Sequence, residues 1–206
     1  MSWYTGTIEC YPDCFCYPHE PFGLLFWSSG AYFLSSLLLY LQARKKSHEF
    51  EFWVFCTMTL ALSSFLFHST LSQMNVALDY ASIIMTLIFF PLWNWLAGLS
   101  SRKKEIIFFV MFIVLWGIFL QLTKWMRIGL SFFIFLLILR TVRKEVVRFR
   151  FHGYLQASVI LGLVSFVFFL SEELRIACAL RGHTVWHIGS ATALYFYGRW
   201  RFDYQN

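Results

Sequence analysis

Apolar segments of membrane-spanning length recur along this chain of 206 residues and constrain its fold more than any other feature. Crossing a bilayer takes roughly 20 mostly apolar residues in a helix. Seven segments approach that length, at about 22–42, 52–72, 76–97, 105–122, 127–142, 153–171 and 183–199. Only 14% of the residues are charged, far fewer than in a soluble domain of this size. The sequence therefore predicts an all-α membrane protein, a bundle of seven transmembrane helices.

The loops between these segments are short, which predicts a single domain over residues 1–206. Residues 1–21 are polar and rich in cysteine, as expected of an extracytoplasmic N-terminal segment and not of a cleavable signal peptide. The net charge of +6 does not indicate nucleic-acid binding, because the basic residues lie in short loops where they set the topology. The expected partners are the bilayer and a membrane lipid; no sequence feature indicates an oligomeric state.

Lysine and arginine lie mostly on one side of the predicted bundle. Thirteen of the 17 follow the first, third, fifth or seventh span, in clusters at 44–46, 102–104, 140–150 and 199–201. The other four are Lys124, Arg127, Arg175 and Arg181. Since positively charged loops stay in the cytosol, the N-terminus is predicted outside and the C-terminus in the cytosol. The membrane would be a bacterial inner membrane or an organelle membrane.

Four of the five cysteines fall on the non-cytosolic side in this topology. They are Cys10, Cys14, Cys16 and Cys178, whereas Cys56 lies within a span. Because an oxidising compartment favours disulfides, one or two are expected, including a bridge from the N-terminal segment to Cys178. The sequence leaves open which cysteine pairs with Cys178, and it leaves open free or metal-binding thiols.

Ionisable residues inside the apolar spans are candidates for function, because such residues are costly in lipid. Span two reads LALSSFLFHSTLS, in which Ser64 and His68 lie one helical turn apart on one face. Span three has Asp79 near its start, and span seven begins HTVWHIGS, with His183 and His187 on one face. At roughly 1.5 Å of rise per residue, the predicted topology places the three histidines and Asp79 at one depth near the outer surface, with Ser64 one turn deeper than His68.

Three histidines at one depth predict a zinc site. Three histidines and a water form a common ligand set of catalytic zinc, and histidines at i and i+4 allow one helix face to hold one ion. Asp79 is the candidate base, and Ser64 is the candidate donor to the water or to a developing oxyanion. Taken singly, each residue has a structural alternative, because polar groups within spans commonly hydrogen-bond between helices. Their shared depth favours the metal site.

The order Ser64-xxx-His68, Asp79, His183-xxx-His187 resembles the signature of the alkaline ceramidase family. That family belongs to a superfamily of seven-span membrane hydrolases that includes the adiponectin/progestin receptors and Per1-like proteins. The resemblance covers most of the chain in span count and motif order. It implies that the histidines hold zinc, with Ser64 and Asp79 beside the zinc water. It also implies hydrolysis of a lipid amide, with ceramide as the leading substrate. An outside N-terminus matches the ceramidase branch and not the receptors.

The resemblance further implies a calcium site in the N-terminal segment, where animal alkaline ceramidases bind calcium. The stretch ECYPDCFCYPHEP offers Asp13 and Glu20 as hard oxygen ligands. The family's Trp-Cys-Glu order is not evident, and FWSSGAY has serines where relatives often have asparagine or threonine. A disulfide-tied cap with solvated acidic residues is the alternative.

Two other functions stay open from the sequence. The same zinc chemistry would cleave another lipid amide or an ester, because specificity depends on the shape of the pocket. The chain could instead be a non-catalytic receptor or structural membrane protein with a zinc site. The open coordination position argues against a structural zinc, which usually has four protein ligands. In that alternative Cys178, five residues before His183, is the candidate fourth ligand.

Overall fold

The computed structural model describes residues 24–43, 46–70, 72–148, 153–173 and 182–204, and within these ranges it is helical, without strands. The seven helices are α1 (Leu24–Gln42), α2 (His48–Thr70), α3 (Gln73–Trp95), α4 (Ser101–Gln121), α5 (Lys124–Arg148), α6 (Gly153–Glu173) and α7 (Gly182–Arg199). A π-helical turn, Trp200–Tyr204, follows α7. The prediction of an all-helical fold is confirmed.

Each predicted span coincides with a helix, but several helices extend beyond the apolar segments, and α2 and α5 show why. The predicted second span begins at 52, whereas α2 begins at His48, after Ser47 accepts a hydrogen bond from the Phe50 amide at 3.2 Å. The acidic residues in that first turn favour the helix N-terminus. The predicted fifth span ends at 142, whereas α5 continues to Arg148 through a charged stretch. Charged residues form helices well, so hydropathy alone underestimates both helices.

Four of the described helices have the length and hydropathy of membrane spans: α2, α3, α4 and residues Gly153–Ser171 of α6. The outer faces of α4 and α6 carry exposed apolar side chains. Phe109 of α4 is 65% exposed and Val167 of α6 is 63% exposed. Extended apolar surface of this kind is rare in soluble monomers, so these helices suit a hydrocarbon environment. The structure thus supports a membrane protein.

The helices pack in a closed series around a central space. α6 packs on α7, α7 on α1, α1 on α2, and α2 on α3, while α4 and α5 both pack on α3. Phe132 of α5 stacks on Phe166 of α6, with ring centroids 5.7 Å apart, so the two ends of the series meet. The cavity between the helices is lined by α1, α2, α3, α6 and α7, and among the described residues neither α4 nor α5 contributes to its wall.

Aromatic side chains fill the end of the bundle where α1 ends and α2 begins. Trp53, Phe89, Trp93 and Phe108 belong to one buried cluster. Ion pairs across the helix termini cover the cluster, for example Arg201 with Glu49 at 3.2 Å. This end is rigidly packed, and the polar residues of interest lie towards the opposite end.

A close approach of α6 and α7 depends on Gly189. A methyl group at this position would lie 1.9 Å from Ser165 Oγ and 3.0 Å from Ser165 Cβ. Small residues let membrane helices approach in this way. Because Gly189 is two residues from His187, this contact also fixes the histidine-bearing part of α7.

Gly189→Ala should destabilise the bundle by about 1–3 kcal/mol, since the added methyl overfills the α6–α7 contact. The test is thermal unfolding in detergent followed by circular dichroism, and the midpoint should fall by several degrees. Gly117→Ala is the matched control, because a methyl at Gly117 of α4 meets no atom within 4 Å. Equal midpoints for the two variants would contradict the packing argument.

Candidate metal centre

Three histidines from two helices meet at one end of the bundle. His68 lies in the last turn of α2, and His183 and His187 lie in the first two turns of α7. One candidate ligand atom from each histidine lies within 4.8 Å of those of the other two. The Nε2 atoms of His68 and His187 are 3.2 Å apart. The three residues are therefore close enough to bind one metal ion, as the sequence predicted.

Burial differs among the three histidines. His68 and His187 are buried, at 4% and 2% exposure, and His183 is partly exposed. The ring of Phe169, from α6, contacts the His183 ring edge-on at a centroid distance of 5.5 Å. An apolar surround of this kind limits water at a metal site and lowers its dielectric constant. His183 lies on the more accessible side of the site.

Two serines of α1 hold the His187 ring from behind. Ser28 Oγ is 2.8 Å from His187 Nδ1, and Ser29 Oγ is 3.3 Å from the same nitrogen. A neutral imidazole has one N–H and one lone pair. If Nδ1–H donates to the serine, the lone pair of Nε2 points towards His68 and is available to a metal. The sequence analysis noted these serines in FWSSGAY only in connection with the calcium site and missed their contact with His187; their position inside span one was the available signal.

Ser64 belongs to the same hydroxyl network. Its Oγ lies 2.9 Å from Ser29 Oγ, and both serines are almost completely buried. Ser64 thus reaches the back of His187 through Ser29. The structure places Ser64 beside the histidines, as the spacing of span two suggested, and joins it to a helix that the motif does not include.

Asp79 lies in the second turn of α3, facing α2. Its carboxylate is 5% exposed, and Ser63 Oγ lies 3.4 Å from Asp79 Oδ1 and 3.0 Å from the Leu60 carbonyl. Ser63, which the sequence analysis did not single out, therefore connects the carboxylate to α2. The two neighbouring serines therefore contact different helices: Ser64 contacts α1 and Ser63 contacts α3.

The predicted calcium ligands Asp13 and Glu20 lie outside the described residues. The same holds for Cys10, Cys14, Cys16 and Cys178, on which the disulfide prediction rests. Cys56, in α2, is a free thiol. Among the described residues, the three histidines form the one group of histidine, cysteine or carboxylate side chains able to hold a metal ion.

Comparison with protein-family models, with curated proteins and with solved structures finds no match to this chain.

His187→Ala should remove the metal, because two imidazoles cannot replace a three-histidine site. We expect elemental analysis of the purified protein to show about one ion per wild-type chain and background levels for the variant. His48→Ala is the control, since His48 is at the other end of α2 and pairs with Glu105. Metal retained after the loss of His187 would exclude it as a ligand.

Ser28→Ala should weaken metal binding without removing the ligands. Loss of a partner that orients a ligating histidine typically costs 10–100-fold in affinity, to be measured by competition with a chelator. Ser36→Ala is the control, because Ser36 lies on the same helix but bonds Thr57 and the Tyr32 carbonyl. Since Ser29 could take over the bond, Ser28→Ala with Ser29→Ala is the stricter variant. Unchanged affinity in this double variant would refute the orienting role.

Proposed function

We propose that this chain is a seven-span membrane hydrolase that uses zinc to cleave a lipid amide, with ceramide as the leading substrate. One observation supports this most. Four helices, distant in sequence, bring three histidines, a buried carboxylate and a series of hydroxyl groups to one end of the bundle. Burying so many polar groups inside an apolar bundle costs free energy, and groups kept at such a cost usually serve a function.

The donor set fits zinc. With Zn–N distances of about 2.0–2.1 Å and tetrahedral geometry, two ligand nitrogens lie roughly 3.3 Å apart, and the Nε2 atoms of His68 and His187 are 3.2 Å apart. Three imidazoles leave a fourth position open, as in catalytic zinc sites. A zinc ion bound there would lower the pKa of a water ligand and polarise a carbonyl oxygen.

Asp79 is the proposed base. Ser63 contacts its Oδ1, which fixes the carboxylate and leaves Oδ2 for the reaction. Asp79 would accept a proton from the attacking water and pass it to the leaving amine. The C–N bond breaks, and the products are a fatty acid and an amine. Ser64, held in place by Ser29, would donate a hydrogen bond to the carbonyl oxygen as it becomes negative.

An apolar cavity lies directly below this site. It has a volume of about 130 Å³, and on α1, α2 and α3 it starts one turn beyond the polar residues, at Tyr32, Leu60 and Ile83. On α7 its wall includes Trp186 and Ser190, on either side of His187 in the sequence. A cavity of this character suits a hydrocarbon chain that is attached to a reacting group at the histidines.

The location of the site agrees with the proposed topology. The histidines lie at the C-terminal end of α2 and the N-terminal end of α7, opposite the basic clusters at 44–46 and 199–201. If those clusters face the cytosol, the site faces the other side of the membrane and the N-terminus lies outside. Substrate would then enter from the outer part of the bilayer.

Purified protein in detergent should release free fatty acid from ceramide, and Asp79→Asn should lower kcat/KM by about 100-fold or more. Activity should fall because the amide cannot accept the proton. Zinc content should stay unchanged, because the amide keeps the shape of the side chain and Asp79 is not one of the proposed ligands. Glu105→Gln is the control, because this carboxyl group lies at the far end of the bundle beside His48. Full activity in Asp79→Asn would remove its role as the base.

Other outcomes identify the alternatives. Cleavage of lipid esters without amides would indicate a zinc lipid esterase. Bound zinc without turnover of any lipid amide or ester would favour a receptor or a structural protein. Loss of zinc in Cys178→Ser would indicate a fourth protein ligand and contradict a hydrolase.

A further inference from the structure

Two hydroxyl groups of the cavity wall lie close to His187. Tyr32 of α1 and Ser190 of α7 both line the cavity, and their oxygen atoms are 2.6 Å apart. The Ser190 hydroxyl also donates to the carbonyl oxygen of Trp186, and it lies 3.4 Å from that of His187. The pair is therefore attached to the turn of α7 that carries a proposed zinc ligand.

The hydrogen-bond directions of the two hydroxyl groups determine whether Tyr32 offers a ligand a donor or an acceptor. A carbonyl oxygen can only accept, so the single Ser190 proton is used on its own helix. The Tyr32 O–H must then donate to Ser190 Oγ. In this arrangement the pair has no proton left to donate, and its unused hydrogen-bonding capacity is lone pairs, chiefly those of the Tyr32 oxygen. The top of the cavity thus provides an acceptor, which suits an O–H or N–H group and disfavours an anion.

The position of this acceptor relative to the reaction centre is set by the helix. Ser190 is three residues beyond His187, roughly 4.5 Å along the helix axis. The Tyr32 ring lies against the His187 ring, with centroids 5.7 Å apart. A carbonyl group at the histidines therefore places atoms a few bonds away from it beside the Tyr32 oxygen.

We propose that Tyr32, held by Ser190, recognises a hydroxyl group on the substrate within a few bonds of the scissile carbonyl. This inference rests on the proposed lipid-hydrolase function and assigns to Tyr32 the selection of hydroxylated over unhydroxylated lipid amides. The hydroxyl can belong to the amine part or to the acyl chain, since both bring an O–H donor to the same place. An unhydroxylated amide would bring no O–H donor to the lone pairs of the buried Tyr32 oxygen, and this difference is the basis of discrimination.

Measuring ligand binding in the absence of turnover tests this inference independently of the proposed hydrolysis. Three amides with equal chain lengths are compared: one with a hydroxyl on the third carbon of the amine part, one with a hydroxyl on the second carbon of the acyl chain, and one with neither. Dissociation constants are measured by tryptophan fluorescence on the full chain in detergent, because Trp186 lines the cavity. A chelator is present, so that no metal-dependent turnover follows, and turnover is measured separately with zinc.

At least one hydroxylated amide should bind the wild-type protein about tenfold more tightly than the unhydroxylated one. Whichever amide is preferred shows which part of the substrate carries the hydroxyl. Tyr32→Phe should reduce the preference to within twofold while zinc content stays unchanged, because the ring against His187 is kept. Tyr80→Phe is the matched control, since Tyr80 packs on Phe119 and does not line the cavity.

Ser190→Ala is the second variant, in case Tyr32→Phe folds poorly. It removes the oxygen that holds the Tyr32 hydroxyl in place, so the Tyr32 acceptor is no longer oriented and the preference should also fall. Equal affinities of the wild-type protein for the three amides, or no binding of any of them, would overturn the inference, as would a preference that survives Tyr32→Phe. A preference that depends on Tyr32 without any hydrolysis would support the inference and count against the hydrolase instead.

Discussion

The imidazole of His187 is the interaction on which the polar end of this bundle depends. Its Nδ1 contacts the serines of α1, and its Nε2 lies 3.2 Å from His68 of α2. One side chain of α7 thus connects three helices in an environment where few other polar contacts are available. Buried polar groups are stable only when each has a partner. The hydroxyl groups of Ser28 and Ser29 are therefore part of the same unit as the histidines.

The sequence predicted the histidines because they are ionisable and rare inside spans. His68, His183 and His187 could be aligned from helix periodicity and from topology alone, and the structure brings them together. The hydroxyl partners could not be predicted in this way. A serine within a helix commonly bonds to its own backbone, as Ser69 does to the Leu66 carbonyl. Sequence does not distinguish such a serine from one like Ser28 that faces another helix.

For the fold, likewise, the sequence pattern predicted the helices but not the contacts between them. Hydropathy predicted the positions of all seven helices, because an apolar segment of about this length usually forms a helix. It did not predict which helices are neighbours, since α4 and α6 are about equally apolar but only α6 contributes to the cavity wall. Neighbours depend on close approaches such as Gly189 against Ser165, which are properties of two distant segments together.

The two ends of the bundle differ in what they bury: one end buries aromatic side chains and the other buries polar groups. At the end where α1 ends and α2 begins, Trp53 and Phe90 pack with ring centroids 4.6 Å apart within a large aromatic cluster, which provides contact area with few polar groups. At the opposite end, the space between the helices holds histidines, serines and Asp79, whose hydrogen bonds do little more than offset the cost of burying them. Stability supplied by the aromatic end therefore allows the histidine end to keep a polar site that is poorly optimised for stability. In this arrangement the cavity lies between the aromatic cluster, which contributes Trp53 to its wall, and the polar groups at the histidine end, so a ligand in the cavity would contact both.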